Sequence, residues 1–283
     1  MNGGSLRSWE AAGTRADRVL RNAGTVSASS GQWARHARRR LRPEHPKFRD
    51  VYGAILSHIV TGEIVGMDHY ARMIPLARSP RERLEILGDA WHEGRHLSSV
   101  LEVAKHVGVE VTWAVDDAYW GGVRVFFEER AAVGDLTGCL VIQDLVLESF
   151  AVALYGAILP GLEPEVGECV AAILTDEKEH LAHGAAALRR LVEEDPSSTA
   201  ARVEPPNESV ARLLASWLRP QDCAPACGVC VALQRTCLKP DLELIGVDLV
   251  EARAGFLSTY GHALRQAGFS PARVTRWLAR LPA

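Results

Sequence analysis

The chain has 283 residues, 47% of them apolar, enough for one large domain or two small ones around a substantial core. Its formal charge of -3 argues against a dedicated nucleic-acid binder, and six cysteines at this length do not make a disulfide scaffold. No signal-peptide stretch and no apolar run of the roughly 18–20 residues of a membrane span stands out, so the expectation is a cytoplasmic chain with no membrane and no nucleic-acid partner.

Residues 1–45 carry Arg, Ser and Gly and few strong apolar positions. The basic run Arg35-His36-Ala37-Arg38-Arg39-Arg40-Leu41-Arg42 reads as a solvated, flexible tail rather than a nucleic-acid arm. After Pro46 the pattern turns helical and defines one domain over 46–283. Val51, Ile55, Ile59, Glu63, Gly66 and Tyr70 fall near one face and predict a helix over 47–76. Ser79 as N-cap and Pro80 in the first turn start a second, over 80–107. A shorter helix is expected over 115–132, and long ones over 136–158 and 164–192. Asp195-Pro196-Ser197-Ser198 reads as a loop, and 206–240 as irregular, broken by Pro220, Pro225 and Pro240 and holding a cysteine-containing insertion at about 220–240. An amphipathic helix over 241–267 and a short one from Ser270-Pro271 close the chain. Nothing alternates with period two, so the fold class is all-α.

Two of these helices carry the same motif. Glu93-Gly94-Arg95-His96 and Glu177-Lys178-Glu179-His180 each set a Glu and a His three residues apart, on one helix face. Each pair follows a lone Glu on the helix before it, Glu63 and Glu148, at nearly equal separations. Two such pairs plus two single carboxylates form the ligand set of a di-iron or di-manganese site inside a four-helix bundle. The surroundings are apolar (Leu97, Val100, Leu145, Val146, Phe150, Ile173, Leu174), so carboxylates there need a cation. One competing reading stands on the same residues. His92-Glu93-Gly94-Arg95-His96 spells H-E-x-x-H, in which His92 and His96 would bind one zinc ion and Glu93 would act as base. It leaves Glu63, Glu148, Glu177 and His180 unexplained.

With Glu63, Glu93, His96, Glu148, Glu177 and His180 in place, the chain resembles the aldehyde-deformylating oxygenases, ferritin-like di-iron enzymes of the long-chain fatty aldehyde decarbonylase family. The likeness runs from about residue 49 to the C-terminus. It rests on Gly62-Glu63 and Tyr70, Glu93-Gly94-Arg95-His96, Cys139-Leu140-Val141-Ile142-Gln143, Glu148-Ser149-Phe150-Ala151, Tyr155, Asp176-Glu177-Lys178-Glu179-His180-Leu181 and the tail Tyr260-Gly261-His262-Ala263-Leu264. The resemblance implies a ferritin-like four-helix bundle with additional C-terminal helices. It implies the six residues as ligands of two iron ions, with Glu93 and Glu177 as bridges. It further implies Asp176 as a hydrogen-bond acceptor from a ligand imidazole, and Tyr70, Tyr155 and Gln143 near the site. Thr61, Ile64, Met67, His69 and Asp144 depart from the family pattern. Asp144 lies one turn before Glu148. It is expected either to line the pocket, as a seventh ligand or an anchor for a cationic substrate, or to turn to an edge as an ordinary polar residue.

Cys223, Cys227, Cys230 and Cys237 lie outside the resemblance, within fifteen residues of one another. They are open among free or disulfide-capable thiols, a structural metal and a redox relay, whereas Cys139 and Cys169 read as core residues. The functional expectation is an O2-dependent di-iron oxygenase drawing electrons from an external reductase or ferredoxin-type donor, as a monomer or homodimer. The expected substrate is a small polar molecule, an amine or hydrazine oxidised at nitrogen in specialised biosynthesis. The alternative reaction is deformylation of an aldehyde to alkane and formate. The non-enzymatic alternative is an iron-binding ferritin-like protein, which for storage needs a many-subunit shell.

Overall fold

The structure is a computed structural model that describes residues 40–221, 223 and 227–282. The expectation of a basic tail therefore falls, up to residue 39, outside the described residues. All regular structure among the described residues is helical.

Helix α1 (Phe48–Met73) continues into a 3-10 turn, Ile74–Leu76, and packs along α2 (Pro80–His106). Ser79 caps α2, its hydroxyl accepting from the Glu82 amide at 3.1 Å, with Pro80 in the first turn. The buried stripe of α2 is narrow: Ile86, Asp89, Glu93, His96, Val100 and Ala104, spaced three or four apart. Three of those six are polar, so this helix turns chemistry rather than only hydrocarbon inward. Helix α3 (Trp120–Ala132) crosses beside α1.

The predicted helix over 136–158 exists but is not uniform. It starts as α4 (Leu136–Leu140), widens into a π-helical turn (Val141–Leu147) and resumes as α5 (Glu148–Ile158). With its final 3-10 turn this run, Leu136–Gly161, is long and apolar enough by composition to cross a membrane. The sequence reading gave no such stretch, because Gln143, Asp144 and Glu148 interrupt it. Buried over most of its length, it reads as the core helix of the bundle.

Helix α6 (Pro164–Glu194) is the longest, and it packs against α2, α5 and the π turn. Together α1, α2, the α4–α5 run and α6 form the four-helix bundle. Asp195-Pro196-Ser197-Ser198 is not a loop. Asp195 accepts from the amides of Ser197 and Ser198 and caps α7 (Pro196–Pro206), with Pro196 in the first turn. A second π turn, Asn207–Ala211, follows Pro205 and Pro206 and leads into α8 (Arg212–Trp217). The short α9 (Gly228–Ala232) and α10 (Lys239–Leu242) come next. The expected helix over 241–267 is broken at Gly246, where φ of +76° ends a 3-10 turn, and α11 proper is Leu249–Gln266. Helix α11 packs on α5 and α6, and α12 (Pro271–Leu278) closes the chain.

Candidate metal centre

Six buried side chains converge from four helices. Glu63 comes from α1, Glu93 and His96 from α2, Glu148 from the first turn of α5, and Glu177 and His180 from α6. All are at most 4% exposed. They form two overlapping groups whose donor atoms lie within 4.8 Å of one another. One is Glu63, Glu93, His96 and Glu177; the other is Glu93, Glu148, Glu177 and His180. Glu93 and Glu177 belong to both, which is the geometry of two cation positions sharing two carboxylates.

Both imidazoles turn Nδ1 inward. His96 Nδ1 lies 3.1 Å from Glu63 Oε2 and 3.6 Å from Glu177 Oε1. His180 Nδ1 lies 3.2 Å from Glu177 Oε2 and 3.3 Å from Glu93 Oε1. The outward nitrogens have partners of their own. His96 Nε2 donates to Asp176 Oδ2 at 3.0 Å, and Arg95 donates to the same oxygen at 2.8 Å. Partial burial works to raise the Asp176 carboxyl, but the His96 bond and the nearby cations outweigh it and hold the pKa below the usual range. An ionised Asp176 fixes the His96 tautomer with Nδ1 free for a cation. His180 Nε2 lies 3.0 Å from His92 Nδ1 and 3.8 Å from Asp89 Oδ1.

That placement bears on the H-E-x-x-H reading. His92 reaches inward to His180 rather than toward a point shared with His96, and no donor group among the described residues holds both. His92→Ala is expected to keep two metal equivalents per chain while weakening affinity about 10- to 100-fold, the usual cost of losing an outer partner of a ligand. Metal analysis of the purified variant checks this; complete loss of metal would favour the zinc arrangement.

A layer of hydrogen bonds orients the carboxylates. Tyr155 donates to Glu63 Oε1 at 3.3 Å, and Tyr70 donates to Glu148 Oε1 at 3.2 Å. Burial, reinforced by the carboxylates, pushes both phenols well above their ordinary value and keeps them protonated donors. Gln143 Nε2 donates to Glu148 Oε1 at 3.0 Å, across five residues of the π turn. His69, which sequence reasoning had only noted as a departure, fixes Gln143: its Nδ1 donates to Gln143 Oε1 at 2.7 Å, and its ring stacks on Phe127.

Burial pushes the His69 imidazole down to about 3, well below its ordinary 6.5. Between those values the unfolded chain binds a proton that the folded chain does not, so stability falls as pH drops through that window. By about pH 4 the loss from this residue amounts to roughly 3 kcal/mol. His69→Leu is expected to show a correspondingly shallower loss of urea stability from about pH 7 to about pH 4. Equal pH slopes in variant and wild type would contradict a buried neutral imidazole.

Asp144 is buried, as a position one turn before Glu148 suggested, but it does not line the large cavity of the bundle. It lies against the backbone of α6 at Gly184, where a Cβ would stand 2.2 Å from the Asp144 Cβ. Burial, with Asp89 and Glu148 nearby, raises its carboxyl well above the usual carboxylate range, which favours the neutral form. Of the two expectations for Asp144, this position against Gly184 gives no support to the cation anchor in the cavity. The side chain packs against another helix. Asp89 went unnoticed in the sequence although it continues the Glu93–His96 stripe one turn earlier.

The cavity runs from Ile55, Trp217, Leu238 and Leu242 to the carboxylates of Glu63, Glu93, Glu148 and Glu177. Leu147, Phe150, Leu154 and Trp120 line its walls, with Tyr155, Gln143, His58 and Tyr119 as polar points.

Among solved structures, the chain is similar to a protein from Synechococcus described as having aldehyde deformylating oxidase activity. The two share 25% identity and a TM-score of 0.70, over 85% of this chain and 100% of that one. The family described as long-chain fatty aldehyde decarbonylase matches residues 45–213, a span that contains all six converging Glu and His residues. Because that span exceeds half of the 283 residues, the chain belongs to the long-chain fatty aldehyde decarbonylase family.

Proposed function

We propose that this chain is an O2-dependent di-iron oxygenase acting on a largely apolar substrate with one polar reacting group, of the aldehyde type. The observation that carries the reading is the apolar cavity that ends on the shared carboxylates. The donor set suits the ions. Four carboxylates and two neutral imidazoles match two divalent cations in charge, and oxygen and imidazole donors suit iron. Glu93 Oε1 is buried and accepts no hydrogen bond from the protein, which leaves it available to a cation. Burial and the mutual repulsion of the carboxylates push Glu93 and Glu148 well above the usual carboxylate range, a strain that bound cations relieve.

Glu63 and His96 would hold one iron, Glu148 and His180 the other, with Glu93 and Glu177 reaching both. Iron in this setting supplies the one-electron chemistry that activates O2, with electrons from an external donor. The rest belongs to the chain. Asp176 and His92 hold the imidazoles in one tautomer and orientation. Tyr155 and Tyr70 keep the terminal carboxylates aimed inward. The apolar walls exclude bulk water and seat a hydrocarbon chain, so the polar end of a substrate arrives beside Tyr155 and Glu63.

With Asp144 outside the cavity, a small ammonium or hydrazinium substrate finds no dedicated carboxylate there beyond the metal-facing four. Iron-loaded protein with a reductant and O2, offered aldehydes, amines and hydrazines in parallel, tests the reading. Conversion of an aldehyde to the alkane one carbon shorter and formate is expected. N-oxygenated product from amines, with aldehydes untouched, would overturn the substrate class while sparing the oxygenase. No O2 consumption with any of them would overturn both.

A further inference from the structure

We propose that His58, Cys227 and Cys230, joined by one thiolate of the Cys223/Cys237 pair, hold a structural zinc ion that pins the cysteine segment to the bundle. This inference does not depend on the di-iron reading. The donor atoms of His58, Cys227 and Cys230 lie within 4.8 Å of one another. His58 Nε2 is 3.4 Å from Cys227 Sγ although the two residues are 169 positions apart. His58 stands on α1, a core helix of the bundle, and the cysteines flank and sit in α9. Cys227 and Cys230 are only 3% and 4% exposed, as suits a closed structural site rather than a reactive one.

The cysteines of the segment form no disulfide. Cys223 Sγ and Cys237 Sγ are 3.8 Å apart, Cys223 is near enough to Cys227 and Cys230 for their charges to interact, and all four thiols are free. A disulfide needs about 2.05 Å.

The local charge points the same way. Lys239 is 4% exposed; its ammonium donates to the Gln221 carbonyl at 3.0 Å and lies over the Trp217 ring. No carboxylate pairs with it among the described residues. A zinc ion with three thiolates and one neutral imidazole carries one net negative charge, which this buried cation balances. A four-thiolate site would leave one negative charge over.

The segment also needs a fastener. Its two helices have five and four residues, too short to hold themselves. His58, Trp217, Leu238 and Leu242 form one end of the cavity wall, so fixing this segment to α1 fixes that wall.

The test is metal content and zinc K-edge absorption of the full-length protein expressed with iron and zinc. The expected result is one zinc per chain with sulfur scatterers at about 2.3 Å. Cys230→Ser is expected to lose the zinc and keep the iron. His58→Gln leaves the cysteine segment untouched. It is expected to lower zinc retention against a chelator at least tenfold with an unchanged helical circular dichroism spectrum, so the proposal stays testable if the cysteine variant fails to fold. Zinc absent from the wild type, or zinc with only nitrogen and oxygen neighbours, would overturn the proposal. So would a mass lower by two hydrogens from a Cys227–Cys230 disulfide, or an iron–sulfur spectrum.

Discussion

Glu93→Gln is expected to remove both metals, whereas Glu63→Gln is expected to leave one. Glu93 belongs to both donor groups and Glu63 to only one. The Gln side chain keeps the volume, so the packing around α2 survives and the loss reports on charge and ligation. Turnover is expected to fall more than roughly 100-fold, beyond the cost of losing an outer partner. Iron content is expected to drop toward zero for Glu93→Gln and toward one equivalent for Glu63→Gln. The metal-free proteins should move the other way. Glu93 is pushed well above the usual carboxylate range by burial and by Glu177 and Glu63, so apo wild type holds a costly cluster. Neutralising one member is expected to raise apo stability by about 1–3 kcal/mol. Thermal melts with and without iron measure both signs. A Glu93→Gln protein that keeps two irons would remove Glu93 from its shared place.

Gly66→Ala is expected to damage the same site by volume alone. A Cβ at Gly66 would stand 2.6 Å from Glu93 Oε2 and 2.9 Å from its Cδ. Neither α1 nor the buried Glu93 has room to yield, because both are packed in the core. In an open helix, Gly→Ala stabilises by up to about 1 kcal/mol. Here the sign should reverse, to a loss of roughly 1–3 kcal/mol from overpacking, with iron affinity at least tenfold weaker as Glu93 is displaced. Gly88→Ala on α2, where a Cβ meets nothing within 4 Å, is the control and is expected to stabilise. Equal effects of the two substitutions in urea unfolding would show that Gly66 does not shape the site.

Much of this was legible in the chain because helix faces are periodic. Apolar residues three and four apart, with Ser79-Pro80 and Ser270-Pro271 as starts, marked α1, α2, α6 and α12. The same periodicity put Glu93 beside His96 and Glu177 beside His180, and the structure brings both pairs together with Glu63 and Glu148. What stayed hidden depends on contacts between helices. The π turn before Glu148 has no mark in composition, yet it carries the Gln143 to Glu148 bond. Asp144 shares a turn with Glu148, but the missing side chain at Gly184 on another helix decides where it rests. His58 and Cys227 meet across 169 positions, beyond any local pattern. Asp195-Pro196 was legible as a helix start and was read as a loop, because Asp, Pro and Ser also dominate turns.

Anomalous diffraction at the iron edge, from crystals of the iron-loaded protein, tests the shared-carboxylate centre most directly. The expected map has two iron peaks, one bonded to Glu63 and His96, the other to Glu148 and His180, with Glu93 and Glu177 in reach of both. A single metal between His92 and His96, with Glu148 and Glu177 unligated, would contradict it.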